Sequence, residues 1–135
     1  MKKILKPNIG IGEIAIGTSI DFYLDKYNFE FVSIDNTDWE EYDFDGVEVY
    51  FDKSSRIIQS IGCRELCEYD GLNLIGSSFV GFCEKLNINP SEAISEEITL
   101  EQDETQTVYE VDNLSLQIWV DLNGLIKAVF VIFYE

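Results

Sequence analysis

Apolar and polar residues alternate with period two through Val47-Glu48-Val49-Tyr50-Phe51-Asp52. Leu114, Leu116, Ile118 and Val120 repeat the pattern. Side chains of a strand point alternately to its two faces, so each run predicts a strand with one buried face. Asn123-Gly124 follows the second run, and this pair between two apolar runs is a strong signal for a two-residue hairpin turn. Ala128-Val129-Phe130-Val131-Ile132-Phe133-Tyr134 is apolar throughout. It predicts an inner strand covered on both faces, because left exposed it would aggregate. Phe29–Ile34 and Thr107–Val111 read as the strand before each hairpin.

Two stretches carry helical spacing instead. Ile20, Leu24 and Tyr27 fall on one helical face, as do Phe79, Cys83 and Leu86. Each is preceded by a glycine and two hydroxyl residues, Gly17-Thr18-Ser19 and Gly76-Ser77-Ser78. A hydroxyl just before an apolar-periodic run predicts a helix N-cap. Asp21, three residues after Thr18, completes a capping box. Asn89-Pro90-Ser91-Glu92 reads as a cap with proline at the first helical position, opening a further short helix.

These blocks recur in order. Ile16–Ile20 is echoed by Ile75–Phe79, Asp25-Lys26-Tyr27 by Glu84-Lys85-Leu86, Val47–Asp52 by Leu116–Asp121, and Arg56–Ile61 by Gly124–Val129. The identities are few, and the order of four matched blocks favours duplication over chance. The expected fold is α+β: one domain over residues 1–135, an antiparallel sheet with helices, and two pseudo-repeated α-β-β-β units at about 16–62 and 75–130. The first unit has a helix near 18–27 and strands near 28–34, 46–52 and 56–62. The second has a helix near 77–87 and strands near 106–111, 114–121 and 125–134. Glu96–Thr107 is polar and aperiodic, and reads as an exposed loop or a second acidic face.

Charge changes this picture from architecture to partners. The chain carries 26 Asp and Glu against 9 Lys and Arg, a net charge of -17 over 135 residues. From Lys26 to Lys53, and again from Lys85 to Lys127, there are nine acids and no intervening base. A net charge of about 2–8 suffices to keep a small domain dispersed. An excess of this size repels nucleic acid and anionic lipid and speeds encounter with a basic partner. With 46% hydrophobic residues the chain is no disordered acidic tail.

The chemistry that is missing narrows the function further. There is no histidine, which removes the commonest general base and metal ligand and any Ser-His or Cys-His nucleophile pair. Cys63, Cys67 and Cys83 have no secreted-scaffold spacing and read as reduced thiols. Lys2, Lys3 and Lys6 imitate the start of a signal peptide, but Pro7, Asn8 and Glu13 interrupt any apolar core. No run of about 20 apolar residues is present to span a membrane. Gly10-Ile11-Gly12-Glu13 lacks the lysine of a phosphate loop and reads as a turn. The expectation is a cytoplasmic, non-enzymatic protein without cofactor, small-molecule substrate, nucleic acid or membrane partner.

The densest acidic segment is the candidate contact. Asp35–Asp45 holds six acids in eleven residues, interleaved with Trp39, Tyr42 and Phe44. Asp35, Asp38, Glu40, Glu41, Asp43 and Asp45 would meet Lys and Arg of a partner, while Trp39 and Tyr42 would supply anchors. A charged hairpin loop whose aromatics fold back onto a sheet edge accounts for the same letters. Glu96–Glu104 is the competing acidic region. Glu41, Asp43, Asp45, Gly46 and Asp52 also match five positions of a calcium loop, but both terminal ligands depart from its pattern and Val47–Phe51 reads as strand where helix is required.

The length, the charge and the segment Ile9-Gly10-Ile11-Gly12-Glu13-Ile14-Ala15-Ile16-Gly17-Thr18-Ser19 resemble the small acidic immunity proteins of bacterial contact-dependent inhibition and related polymorphic toxin systems. Helix-then-sheet domains of that group, and of related lipoproteins, open with a similar Gly-x-Gly-x-x-x-x-Gly-x-Ser/Thr pattern. The lipoprotein branch would add a signal and a lipidated cysteine. The resemblance implies an inhibitor that covers the active site of a toxin domain delivered by neighbouring cells. Many such toxins are nucleases and basic, and an acidic inhibitor can occupy the surface that takes the phosphate backbone. The alternative is a cytosolic adaptor with an acidic face for some basic protein.

Overall fold

Burial alternates through Val47–Asp52 and Leu116–Asp121 without a break in a computed structural model that describes residues 1–32, 37–99 and 104–134. The elements, in chain order, are β1 (Leu5–Lys6), β2 (Gly10–Ile11), β3 (Ile14–Ala15), β4 (Glu30–Val32), β5 (Trp39–Phe44), β6 (Val47–Asp52), β7 (Ile58–Cys63), β8 (Glu68–Tyr69), β9 (Leu72–Asn73), α1 (Phe79–Leu86), β10 (Ile94–Thr99), β11 (Thr105–Val111), β12 (Leu116–Asp121) and β13 (Ile126–Ile132). The architecture is α+β and mostly antiparallel sheet, with α1 the one α-helix among the described residues.

Eight strands form a single sheet in the order β10-β11-β12-β13-β7-β6-β5-β4. Each side of it is a run of sequence neighbours, and β13 and β7 meet antiparallel at the centre, with Val129 opposite Cys63 and Phe130 opposite Gly62. The apolar C-terminal run is thus an inner strand and largely buried, but it is not covered on both faces as expected: Phe130 and Ile132 line an open cleft on the reverse side. Asn123-Gly124 lies in the β12–β13 turn, where Asp121 Oδ1 accepts from the N–H groups of Asn123 and Leu125. Asp45 and Gly46 make the two-residue turn from β5 to β6, both at positive φ, 48° and 80°. A primed hairpin turn needs that conformation at both positions.

One face of the sheet is the core. Val47, Val49, Phe51, Ile61, Leu116 and Ile118 are fully buried on it. They pack under Phe79, Phe82 and Cys83 of α1 and under Leu5, Ile11 and Ile14 of the small three-stranded sheet β1-β2-β3. Helix α1 is capped as its sequence predicts: Ser78 Oγ accepts from Gly81 N–H, and Asn87 ends the helix in the left-handed conformation.

The two sides of the midline share several contacts. Gly17 N–H donates to Ile58 O and Gly76 N–H to Ile126 O; Ile20 N–H donates to Arg56 O and Phe79 N–H to Gly124 O. The β6–β7 register shifts between Tyr50 and Phe51, and the β12–β13 register between Trp119 and Val120, at matched positions of the repeated blocks. An α-β-β-β unit occurring twice is nevertheless not what is seen. The helix expected over 18–27 is a single 3-10 turn, Ile20–Phe22. Aspartate and aromatic residues make this segment a modest helix former. The Tyr23 hydroxyl also ties it back, to Thr18 Oγ1 at 3.0 Å and Ala15 N–H at 3.1 Å. Thr18 therefore does not cap; Ser19 does, and Asp21 pairs with Arg56 at 2.8 Å.

The acidic segment read as a loop is largely strand β5, and β10 and β11 occupy much of Glu96–Thr107. Each side of the large sheet carries four strands where three were expected.

Candidate binding face

The reverse face of the large sheet follows from the register. Trp39, Glu41 and Asp43 alternate with the core-side residues of β5, as Glu48 and Tyr50 do in β6. Across the midline Gly62 lies opposite Phe130, Gln117 opposite Phe130, and Trp119 opposite Val108 and Ala128. Val108, Ala128 and Phe130 are buried yet lie outside the core cluster, as side chains of the second face must.

At its middle this face carries a cleft of about 460 Å³ whose walls include Trp39, Tyr50, Trp119, Phe130 and Arg64. Among the described residues, none of the elements that cover the core lines it. Both tryptophans of the chain are here, on strands β5 and β12. Four strand spacings separate those strands, about 19 Å of backbone. Ser60 and Ile132 line the cleft between them. Gly62 is required there: a Cβ on it would stand 2.1 Å from the Phe130 ring, which lies across it. Trp119 is held in place, since its Nε1–H donates to Gln117 Oε1 at 3.0 Å. Trp39 is 40% exposed.

Carboxylates flank the aromatic centre at both ends. On one side Glu30, Asp43 and Glu48 line an adjoining cleft of about 270 Å³. Here Tyr50 O–H donates to Glu48 Oε1 at 2.6 Å, and Arg64 Nε donates to Glu48 Oε2 at 2.7 Å. The Asp43 carboxyl is pushed up to about 7, first by burial, then by its hydrogen bond to Glu41 and the charges of Glu41, Glu48 and Glu30. Its Oδ1 is buried and has no hydrogen-bond partner among the described residues. On the other side a smaller cleft brings Glu96 and Glu110 beside Trp119. The two acidic regions that compete in the sequence therefore border one surface. Among the described residues, Arg64 is the only basic one lining these three clefts. Its guanidinium lies over Phe130 at 5.3 Å and Trp119 at 5.8 Å.

The sequence-derived contact residues separate accordingly. Trp39, Glu41 and Asp43 are on this face. Glu40 and Tyr42 are on the core side, where Tyr42 packs edge-on against Phe51 at 4.9 Å. Asp38 is exposed just before β5, and Asp45 sits in the turn, paired with Lys3 at 3.6 Å. Asp35, like residues 100–103 of the competing region, lies outside the described residues. Tyr50, Arg64, Trp119 and Phe130 were not singled out. Tyr50 and Trp119 did carry a signal: each is a large aromatic on the solvent beat of an alternating strand, at matched positions of the two blocks.

Glu41, Asp43 and Asp45 follow a hairpin rather than a calcium-binding loop, and among the described residues no three ligating side chains converge on a metal position. No described helix is long and apolar enough to cross a membrane. The comparisons with known proteins add no relative: no family model, no curated protein and no solved structure matches the chain.

Proposed function

We propose that this protein is a non-enzymatic inhibitor of the immunity type, acting in the cytoplasm, which binds a basic toxin domain across the open face of its large sheet. The observation that carries the reading is the convergence of both tryptophans, flanked at each end by carboxylates, on a sheet face that the core-covering elements leave bare. Buried aromatics dominate the energy of protein interfaces, and complementary charge sets the rate and the choice of partner. A nuclease fits best, because its substrate site is basic. The shared contacts on the two sides of the midline further support an origin by duplication, of a turn or helix followed by four strands.

Co-expression with the product of the adjacent upstream gene tests the function. A stoichiometric complex that protects susceptible cells, and that is lost when Trp39 and Trp119 are both replaced by alanine, is the expected result. Binding through this face without protection would favour the cytosolic adaptor instead. Catalytic turnover by the purified protein would overturn both.

A further inference from the structure

Arg64 forms a shared wall between the aromatic cleft and the acidic one. Its guanidinium lies over Phe130 and Trp119, while its Nε holds Glu48. A guanidinium can lie against the rings while its Nε–H donates to Glu48 Oε2, the other carboxylate oxygen being taken by Tyr50, and a compact ammonium satisfies both contacts less well. The side chain is nonetheless about half exposed, at 51%, and its pairing to Glu48 is the single ion pair it makes among the described residues. Glu48 is largely buried, at 14%, so the carboxylate stays fixed while the arginine that meets it is open to solvent and to exchange. Removing the guanidinium would join the two clefts and leave Glu30, Asp43, Glu48 and Glu65 without the one cation that lines their cleft.

We propose that the joined clefts form an arginine-binding site, which Arg64 fills in the free protein until an arginine of the basic partner takes its place. The inference rests on the proposed binding of a basic protein at this face, and names the group that anchors it. The site is built for a guanidinium by geometry already present. The surrounding net negative charge draws a second cation to the site, where it competes with Arg64.

An internal ligand competes at high effective concentration, so its removal should tighten binding of the external one. The probes are hexa-arginine and hexa-lysine peptides, titrated against the purified full chain and followed by tryptophan fluorescence. Arg64→Ala should tighten hexa-arginine by roughly three- to tenfold, and hexa-lysine by clearly less. Adding Trp119→Ala should abolish the preference for arginine, with Trp39 still reporting. Arg64→Lys keeps a charge beside Glu48 without the planar stack, so it guards against a variant that fails to fold; it should shift hexa-arginine in the same direction by a smaller amount. Unchanged or weaker hexa-arginine binding on loss of Arg64 would overturn the proposal, as would an equal gain for both peptides. Arginine selectivity without any basic protein partner would leave this site standing and remove the inhibitor reading. A basic partner bound with no arginine selectivity would do the reverse.

Discussion

At the scale of single residues, Asp43 is where the acidic composition has an energetic cost. It faces Glu41 on its own strand, Glu30 on β4, Glu48 on β6 and Arg64 beyond β7. Its folded-state carboxyl lies at about 7 against an ordinary 3.8, so between those values the folded chain holds a proton that the unfolded chain has released. Stability from this group therefore falls as pH rises through that window, and the loss is complete above it. Asp43→Asn should stabilise the protein at pH 8 and have much less effect near pH 4. Urea titrations at the two values measure this, and an equal effect at both would contradict it. Gly62 is the second such residue. Alanine there drives a Cβ into the Phe130 ring. A cost of about 1–3 kcal/mol is expected for overpacking of this kind, together with a change in Trp119 fluorescence as the ring is displaced. Neither role was legible in the sequence, because each depends on a neighbour from a distant strand.

Elements were legible where burial follows one simple period. Strands β6 and β12 follow that rule, while β13 was legible from its unbroken apolar run and the Asn123-Gly124 turn and helix α1 from their local turn and cap residues. Strand β5 was missed for a physical reason: Glu41 and Asp43 lie on the cleft face while Tyr42 and Phe44 turn to the core side, so the alternation is genuine, but the density of charge resembles a loop. Strand β10 hides in the same way, with Glu96 and Glu97 on successive faces of a sheet edge. The first helix failed because local capping signals do not outweigh poor propensity and a competing tether from Tyr23. This difference between the two capped segments predicts unequal costs. Ser78→Ala removes the cap of an eight-residue helix and should cost about 1 kcal/mol. Ser19→Ala, at a three-residue turn, should cost clearly less. Chemical denaturation of the two variants side by side checks this, and a reversed order would contradict the structural distinction.

For the whole molecule, the sequence shows its charge, from which a basic partner is proposed, and it picks out Trp39, Glu41 and Asp43. Only the sheet order brings them within reach of Trp119, Phe130 and Arg64, and sets Glu96 and Glu110 on the far side of the same surface. The net charge of -17 should act mainly on association. Converting Glu41, Glu48, Glu96 and Glu110 to glutamine should slow the encounter with a basic partner and flatten its dependence on salt, since solvent-exposed charges are screened beyond about 10 Å at 0.1 M. The aromatics should act on release. The most direct measurement is the dissociation rate of the complex with the basic product of the adjacent gene, compared between Trp119→Ala on the open face and Phe22→Ala on the core-covering side, where Phe22 is 72% exposed. The open-face account predicts faster release for Trp119→Ala, by about 2 kcal/mol, and no change for Phe22→Ala. Unchanged release for Trp119→Ala with faster release for Phe22→Ala would place the contact on the other side of the molecule and contradict the account.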